Sequence, residues 1–128
     1  MSVRVLNALL AILIPLQVLS VPDKHVLTVD EAIVSESIRY GVEPYFVLQI
    51  AYRESKLQKH PDKSSEGAEG VMQLMPLTRH IYNVYDDDWH NNVRAGVQYI
   101  SDLQALHKNK RTVYRRYMGL RDELTRHY

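Results

Sequence analysis

The spacing of apolar residues in the segment DDDWHNNVRAGVQYISDLQALHK, residues 86–108, most constrains what this chain can fold into. The apolar positions recur at intervals of three and four residues, which is the period of one face of an α-helix. They are Val93, Gly96, Val97, Ile100, Leu103 and Leu106. The acidic run 86–88 precedes them, where the positive end of a helix dipole favours carboxylates. The segment therefore predicts a long helix with one buried face.

Other segments carry helix signals with recognisable ends. TVDEAIVSESIRYG begins with Thr28 and Glu31, which form a capping-box pattern, and it stops at Gly41. VEPYFVLQIAYRES places Pro44 in a first helical turn. Its apolar stripe consists of Phe46, Val47, Ile50 and Ala51. RTVYRRYMGLRDELTRHY predicts one or two short helices, with the division near Gly119.

The segment between these helices is less regular. KLQKHPDKSSEGAEG, residues 56–70, carries a proline and two glycines among polar residues and predicts a loop. VMQLMP is expected to form a short helical turn that ends at Pro76, and LTRHIYNVY another short helix. No stretch alternates apolar and polar residues for long enough to predict a strand. We therefore predict an all-α domain of five to seven helices that starts near Thr28 and extends to residue 128.

The N-terminal segment differs from the rest of the chain. Arg4 is followed by an apolar run, residues 5–21, and then by the polar sequence PDKH. The order of the charged Arg4, the apolar core and the small residue Ser20 is typical of a secretory signal peptide. An uncleaved membrane anchor is the alternative, because 17 residues lie near the lower limit for a span. We predict that residues 1–21 are a signal peptide or an anchor that tethers an exported protein to a membrane.

Composition excludes several classes of function. The net charge of +1 does not indicate a nucleic-acid partner, because duplex-binding domains are usually strongly basic. The local basic run 107–111 and the pair 115–116 are interpreted as solvated helix ends, with contact to an anionic polymer or lipid surface as the alternative. The chain has no cysteine, and no histidines have the spacing of a zinc motif. His90 beside the acidic run 86–88 is better explained as part of a helix start than as a metal corner. We predict no cofactor and no metal site.

Glu54 is the acid with the most distinctive surroundings. The apolar stripe leads directly to it, so it is expected to emerge from the core at the C-terminal end of a helix. Desolvation and the partial negative charge of the last helical carbonyls both disfavour the ionised form and would raise the pKa of Glu54. A carboxyl group that keeps its proton near neutral pH suits general acid catalysis. The alternative for Glu54 is a solvated helix end.

A series of short motifs resembles the lytic transglycosylases of the soluble-lytic-transglycosylase type. The first part consists of Glu54-Ser55, Ser64, Gly67-Ala68, the run GVMQLMP at 70–76, and Thr78. The second part, which looks like the family's Asn-Ile-x-x-Gly-x-x-Tyr-Leu-x-x-Leu helix, consists of Asn92, Val93, Gly96, Tyr99, Ile100 and Leu103. The match runs in order from Glu54 to Leu103. The family's last motif, Ala-Tyr-Asn-x-Gly, is altered to RRYMGL, with Tyr117 in place of the tyrosine and Met118 in place of the asparagine.

The resemblance implies a fold, a substrate and a reaction. The fold would be similar to goose-type lysozyme, a helical domain with a glycan-binding cleft. The substrate would be peptidoglycan, cleaved at the β-1,4 bond between N-acetylmuramic acid and N-acetylglucosamine, in the periplasm or cell envelope. Glu54 would act first as an acid and then as a base, so that the muramyl 6-hydroxyl attacks C1 and a 1,6-anhydro product forms without water. Glu54 is the catalytic residue on this interpretation.

The remaining site residues follow from their positions in the motifs. Ser55 would fix the helix end or bond Glu54, and Ser64 would bond Glu54 or the acetamido group of the sugar. The glycines would let the backbone turn close to a sugar ring. Met72 would form an apolar wall and Gln73 would bond sugar groups, whereas Met75 is expected in the core. The predicted substrate-binding set is Ser55, Ser64, Gly67, Ala68, Met72, Gln73, Tyr99 and Tyr117.

Two alternatives stay open at this point. A muramidase on the same fold would add water across the same bond. A non-catalytic peptidoglycan-binding module would explain the altered last motif. The biological setting would be wall turnover, a phage, or a secretion or conjugation assembly.

Overall fold

The chain forms five helices in a computed structural model, whose described residues are 27–126, with side chains described as far as residue 119. The helices are α1 (Val29–Arg39), α2 (Pro44–Ser55), α3 (Pro76–Ile81), α4 (Trp89–Leu106) and α5 (Lys110–Arg126). No strand occurs in this range, and an isolated antiparallel bridge joins Glu69 to Leu74. The all-α prediction is confirmed. The predicted signal peptide or anchor, residues 1–21, lies outside the described residues.

The ends of α1 and α2 lie where the local signals predict them. The Thr28 hydroxyl accepts a hydrogen bond from the Glu31 backbone N–H, and the Glu31 carboxylate accepts one from the Thr28 N–H, each at 3.3 Å. This capping box satisfies two N–H groups at the start of α1. Gly41 adopts a left-handed φ of 68° just after the end of α1. Pro44 is the first residue of α2, where a missing N–H has no cost.

Helix α4 is the centre of the domain. It packs against α1, α3 and α5, while α1 also packs against α2. Side chains from these helices are fully buried together at Ile33, Val47, Ile50, Val93, Val97, Ile100 and Val113. The Asp88 side chain caps the start of α4 by accepting from the backbone N–H groups of His90 and Asn91, which confirms the predicted place of the acidic run. Leu106 is 77% exposed, so the predicted buried seam is wrong at its last position: Leu106 is the final residue of the helix.

The segment around Pro76 corrects one prediction. The backbone groups of Glu69 and Leu74 exchange two hydrogen bonds, of 3.0 and 2.9 Å, so residues 69–74 form a tight turn. This Glu69–Leu74 turn is not helical, and Gln73 in it has a left-handed φ of 48°. Pro76 begins α3 rather than ending a helix. The reason is that proline suits the first position of a helix, where its fixed φ and missing N–H are both tolerated.

The last helix resolves an alternative. Of the two arrangements predicted for the C-terminal segment, one helix is observed, because α5 continues through Gly119 without a break. Within residues 27–126, no helix is both long and apolar enough to cross a membrane.

Candidate active site

The Glu69–Leu74 turn is held in place by one side chain of α4. Asn92 is 5% exposed, and its Oδ1 accepts a hydrogen bond from the Met72 N–H at 2.9 Å. Its Nδ2 donates to the Glu69 carbonyl at 3.0 Å. Asn92 therefore substitutes for a neighbouring strand by satisfying a buried donor and a buried acceptor of the turn. Asn92 belongs to the helix motif that resembles the family, but the sequence alone did not predict that it holds the turn.

The same contact explains Gly70. Its φ of 81° lies in the left-handed region, and a Cβ atom there would overlap the amide group of Asn92. A side chain at this position would strain the backbone and also displace the residue that anchors the turn. The Gly70 backbone thus closely approaches Asn92 of the protein itself, and its approach to a sugar ring stays a prediction.

Neither Met72 nor Met75 lies where the sequence predicted it. The Met72 side chain is fully buried and packs on Gly96 of α4, so the prediction that it walls the cleft is wrong. Met75 is only partly buried, so its assignment to the core is also wrong. The physical reason is the geometry of the turn, in which Asn92 fixes the Met72 backbone against α4 and the side chain follows it inward.

Gln73 is also directed toward the turn. It is 7% exposed, and its Nε2 donates to the Gly70 carbonyl at 2.9 Å. This hydrogen bond supports a residue with positive φ, an uncommon backbone conformation for any residue except glycine. The amide nitrogen therefore stabilises the turn, and contact of Gln73 with a sugar stays a prediction.

A short loop before the turn is organised by Ser64. The Ala68 N–H donates to the Ser64 hydroxyl oxygen at 2.9 Å, and the Ser64 N–H donates to the Ala68 carbonyl at 2.9 Å. Gly67, with a φ of 89°, closes the loop by donating its N–H to the Ser64 carbonyl at 3.0 Å. Ala68 is fully buried, so its side chain holds the loop to the core rather than facing a ligand.

Tyr117 connects α5 to the Glu69–Leu74 turn. Its hydroxyl donates to the Met72 carbonyl at 2.7 Å, and the residue is 8% exposed. Its ring lies 5.3 Å from the ring of Tyr99, which in turn lies 5.9 Å from Tyr82, measured between centroids. Burial raises the pKa of Tyr99, although Arg116 opposes this, so Tyr99 stays protonated at neutral pH. Tyr99 and Tyr117 are therefore in contact beside the turn, and their contact with a sugar stays a prediction.

Glu54 lies on the last turn of α2, partly buried, as the sequence predicted. The adjacent Ser55 is 6% exposed, and its hydroxyl donates to the Ala51 carbonyl at 3.3 Å. Ser55 is thus not a surface serine, and its hydroxyl bonds to the helix end that presents Glu54. The chain then leaves α2 through two left-handed residues, Lys56 and Leu57, which turn it sharply away from the helix axis.

Glu69 has a structural role, although it falls on a variable position of the motif. Its carboxylate pairs with Lys63 at 2.9 Å and with Arg79 at 2.5 Å. The hydrogen bond from Lys63 lowers the pKa of Glu69, and Arg79 adds to the effect against the opposing desolvation. Glu69 is therefore ionised and paired, which makes it a poor candidate for a second catalytic acid.

The described surface includes two grooves near the motif residues. One, of about 500 Å³, is bordered by Lys59, Asp87, Trp89 and the Glu69–Arg79 pair. The other, of about 700 Å³, lies between α2 and α5. Glu54 lines neither groove, but the second extends along α2 to Arg53, its neighbour in the chain.

Among the described side chains, no group of three histidine, aspartate or glutamate residues is placed to hold a metal ion. His90, the residue considered above as a metal corner, has its ring Nε2 3.2 Å from the buried carboxylate of Glu36 in α1.

The motif residues brought together here agree with a family comparison. A scan against protein-family models matches residues 31–118 to the transglycosylase SLT domain. The chain belongs to the SLT domain family. SLT domains are lytic transglycosylases that act on peptidoglycan in the cell envelope, and their lysozyme-like helical fold agrees with the five helices described here. Searches of curated proteins and of solved structures found no match.

Proposed function

We propose that this SLT domain is a lytic transglycosylase that cleaves the β-1,4 bond between N-acetylmuramic acid and N-acetylglucosamine. Glu54 is the catalytic residue, and the product carries a 1,6-anhydromuramyl end. The observation that carries the proposal is the position of Glu54. It is the glutamate of the family's Glu-Ser motif, and it lies partly buried at the C-terminal end of α2, preceding a buried serine.

The chemistry needs one carboxyl group in two protonation states. The Glu54 carboxyl donates its proton to the glycosidic oxygen as the bond from that oxygen to C1 of the muramyl sugar breaks. The 2-acetamido group of the same sugar stabilises the positive charge at C1. The Glu54 carboxylate then takes the proton from the muramyl 6-hydroxyl, whose oxygen forms the new bond to C1. The proton count closes, and no water is consumed.

The ion pairs of Glu69 support an intramolecular nucleophile rather than a water molecule activated by a second carboxylate. Ordinary glycosidases use two carboxyl groups, one on each side of the scissile bond. Glu69 is held in ion pairs with Lys63 and Arg79, so it is not available to activate a water molecule. A hydroxyl group of the substrate itself has a high effective concentration and does not depend on such a base.

The proposal includes the Glu69–Leu74 turn and Tyr117 in the substrate-binding part of the site. Asn92 fixes the turn from α4, and the Tyr117 hydroxyl fixes it from α5. A rigid turn between two helices would offer backbone groups to a sugar at a defined place, which lowers the entropy lost on binding. Contact with glycan is proposed for Ser64, Gly67, Gln73, Tyr99 and Tyr117, and not for Met72 and Ala68, whose side chains are fully buried.

The proposal is tested by comparing the wild-type protein with Glu54→Gln on purified peptidoglycan. Glutamine keeps the shape of the side chain but cannot transfer a proton. General acid–base catalysis typically contributes about 10²- to 10⁴-fold, so we expect a loss of product formation of about that size. Mass spectrometry of the soluble products should show anhydro ends, which are lighter than hydrolysed ends by one water.

Glu66→Gln is the matched control, because Glu66 is an exposed acid in the same segment at a variable motif position. It should keep wild-type product formation. Equal activity of Glu54→Gln and wild type would refute the role of Glu54. Products that carry an added water would identify a muramidase instead. Binding to peptidoglycan by a wild-type protein that releases no product would identify a non-catalytic module.

We also propose that residues 1–21 direct the domain of residues 28–128 out of the cytoplasm, as a cleaved signal peptide or a retained membrane tether. The support is the order of Arg4, the apolar run and the polar segment that follows. Export would bring the domain to its peptidoglycan substrate. N-terminal sequencing of the protein from the cell envelope would distinguish cleavage from retention.

A further inference from the structure

Exposed tyrosines and arginines lie together on the surface formed by α2 and α5. Tyr45 and Tyr52 are 66% and 61% exposed, and they share one face of α2 because seven residues make about two helical turns. Tyr52 and Arg53 border the same groove as Arg111 of α5. Arg115 follows Arg111 by one helical turn and is also exposed. These five residues are called the Tyr–Arg surface below.

The arginines of the Tyr–Arg surface have no carboxylate partners. Residues 107–119 contain five lysines and arginines and no aspartate or glutamate. Lys110 pairs with Glu43 of α2. Among the described side chains, however, no ion pair includes any of the three arginines. The surface therefore carries an excess of positive charge that an anionic partner can neutralise.

Cations at the opposite end of α4 have acidic neighbours. Helix α4 has 18 residues and is about 27 Å long, and α5 begins after its C-terminal end. Near the N-terminal end of α4, Arg39 pairs with Glu36, which also contacts His90. Lys59 borders a groove together with the acidic run 86–88. The two ends of the domain thus differ in charge, and the cationic end also carries the exposed tyrosines.

We propose that the Tyr–Arg surface binds the anionic headgroups of a phospholipid membrane. A guanidinium group presents a fork of N–H donors that matches a phosphate with two hydrogen bonds. Tyrosine side chains favour the level of the headgroups, because their rings are apolar and their hydroxyl ends are polar. The basic segment at the start of α5 then contacts a lipid surface and is more than a solvated helix end.

The proposed N-terminal anchor favours a membrane over other anionic partners, and this step rests on that proposal. Residues 22–28 would connect the anchor to α1, and seven residues span at most about 25 Å. A domain of about 100 residues has a radius of gyration of about 13 Å, so a tethered domain would stay within reach of the lipid surface. The tether would raise the effective concentration of lipid, so that a few weak contacts suffice for docking.

Docking through the Tyr–Arg surface would also orient the proposed catalytic residue. Glu54 follows Tyr52 by two residues in α2, which corresponds to a rotation of about 200° around the helix axis. Glu54 therefore lies on the opposite side of α2 from the two exposed tyrosines. A domain docked in this way would hold Glu54 on the side directed away from the membrane, toward the peptidoglycan.

The test uses the full chain, residues 1–128, with a fluorophore on a single introduced cysteine, because the chain has no cysteine of its own. Gln49→Cys places an environment-sensitive label on α2 within the Tyr–Arg surface, since Gln49 is exposed and borders the same groove. Asp87→Cys places the label at the other end of α4 as a control. Each protein is added to vesicles of phosphatidylcholine alone or of phosphatidylcholine mixed with phosphatidylglycerol. Attachment through residues 1–21 is common to all variants.

We expect the emission of the label at position 49 to shift to the blue on the phosphatidylglycerol vesicles and not on phosphatidylcholine alone. Arg111→Gln with Arg115→Gln should lower the ratio of shifted to unshifted label by about 25-fold, because each cation near an anionic surface contributes about fivefold. High salt should weaken the shift, because it screens exposed charges. Arg39→Gln with Lys59→Gln removes the same charge at the other end of α4 and should leave the shift unchanged.

Other outcomes would overturn the inference. An equal shift on both kinds of vesicle would assign the contact to residues 1–21 and not to the arginines. Equal shifts of the labels at positions 49 and 87 would indicate adsorption without a preferred face. No shift at either position would show that the Tyr–Arg surface does not meet the membrane. A larger shift with soluble peptidoglycan chains or with single-stranded DNA would identify a different anionic partner.

The proposed catalysis is judged separately, by anhydro products released from soluble peptidoglycan. Wild type and the variant with both Arg111→Gln and Arg115→Gln should form these products at the same rate, because the Tyr–Arg surface and Glu54 lie on opposite sides of α2. Products without membrane contact would refute this inference alone. Membrane contact without products would refute the catalysis alone.

Discussion

At the scale of single residues, buried polar side chains replace the strand partners that this all-α domain lacks. Asn92 satisfies a donor and an acceptor of the Glu69–Leu74 turn, with hydrogen bonds of 2.9 and 3.0 Å. A buried backbone group that loses its partner costs more than the bond itself contributes, because water cannot replace the partner. The turn that carries the central family motif therefore depends on one side chain from a helix.

Replacing Asn92 by alanine should destabilise the domain by about 1–3 kcal/mol, the cost of leaving a buried polar group unsatisfied. Urea denaturation followed by circular dichroism would measure this change. Asn91→Ala is the control, because the Asn91 side chain bonds only groups near the surface, those of Arg94 and Asp86. Equal stability of the two variants would show that Asn92 does not anchor the turn.

The ion pairs of Glu69 predict a dependence of stability on pH. Its pKa is lowered in the folded protein, chiefly by the hydrogen bond from Lys63. A group with a lowered folded pKa stabilises the fold above its ordinary pKa, about 4.5 here, and this contribution disappears as the pH falls through the folded value. Glu69→Gln should therefore be less stable than wild type at pH 7, and the difference should shrink at pH 3.

Denaturation at the two pH values gives this difference directly. Asp62→Asn is the control, since Asp62 is exposed in the same loop and outside the ion pairs with Lys63 and Arg79. A stability difference for Glu69→Gln that is the same at pH 3 and pH 7 would contradict the assigned ion pairs.

At the scale of the elements, α4 and α5 each contain a glycine, and the two have opposite surroundings. A Cβ atom on Gly96 of α4 would overlap the Cβ and Cγ atoms of Met72. Those two atoms lie close to the backbone of the Glu69–Leu74 turn. Gly119 of α5 has nothing within 4 Å of that position. Gly96 therefore allows close packing between a helix and a turn, whereas Gly119 only weakens its helix.

Alanine at these positions should change stability in opposite directions. Gly119→Ala should stabilise the protein by about 0.5–1 kcal/mol, because glycine inside a helix costs that much relative to alanine. Gly96→Ala should destabilise it, because overpacking typically costs about 1–3 kcal/mol and exceeds the gain in helix propensity. Thermal unfolding of both variants checks the signs. A stabilising Gly96→Ala would show that Met72 moves aside without cost.

At the scale of the whole molecule, α5 packs on α4 and contacts the Glu69–Leu74 turn. Val113 is fully buried, and the Tyr117 hydroxyl reaches the Met72 carbonyl, which is 45 residues away in the chain. Tyr117 also stacks obliquely on Tyr99 of α4. The C-terminal helix thus contributes to the core and to the proposed site at once, although its motif departs from the family pattern.

Tyr117→Phe should keep the ring packing and lose the hydrogen bond to Met72. We expect a loss of stability of about 0.5–1.5 kcal/mol, the usual net value of one hydrogen bond. If the hydroxyl also serves the reaction, the rate of anhydro product formation should fall while the protein remains folded. Tyr45→Phe, a change at an exposed tyrosine of α2, is the control for both measurements. Unchanged stability and unchanged rate would remove Tyr117 from the proposed site.

The sequence predicted the helices well because their signals are local. The capping box at Thr28, Pro44 at the start of α2 and Asp88 before α4 each act within one turn of the chain. The periodicity of the long segment likewise identified the buried face of α4. The same local logic failed at Pro76, because a proline fits the beginning of a helix as well as the region after its end.

The sequence alone therefore determined the fold class, most helix ends and the position of Glu54 at the end of α2, since each depends on residues within a few positions of one another. Only the tertiary structure decided that Met72 is in the core, that Met75 is not, and that Asn92 and Tyr117 hold the turn. Those outcomes depend on hydrogen bonds between residues 20 and 45 positions apart. Such contacts form when helices pack, and no local pattern in the chain encodes them.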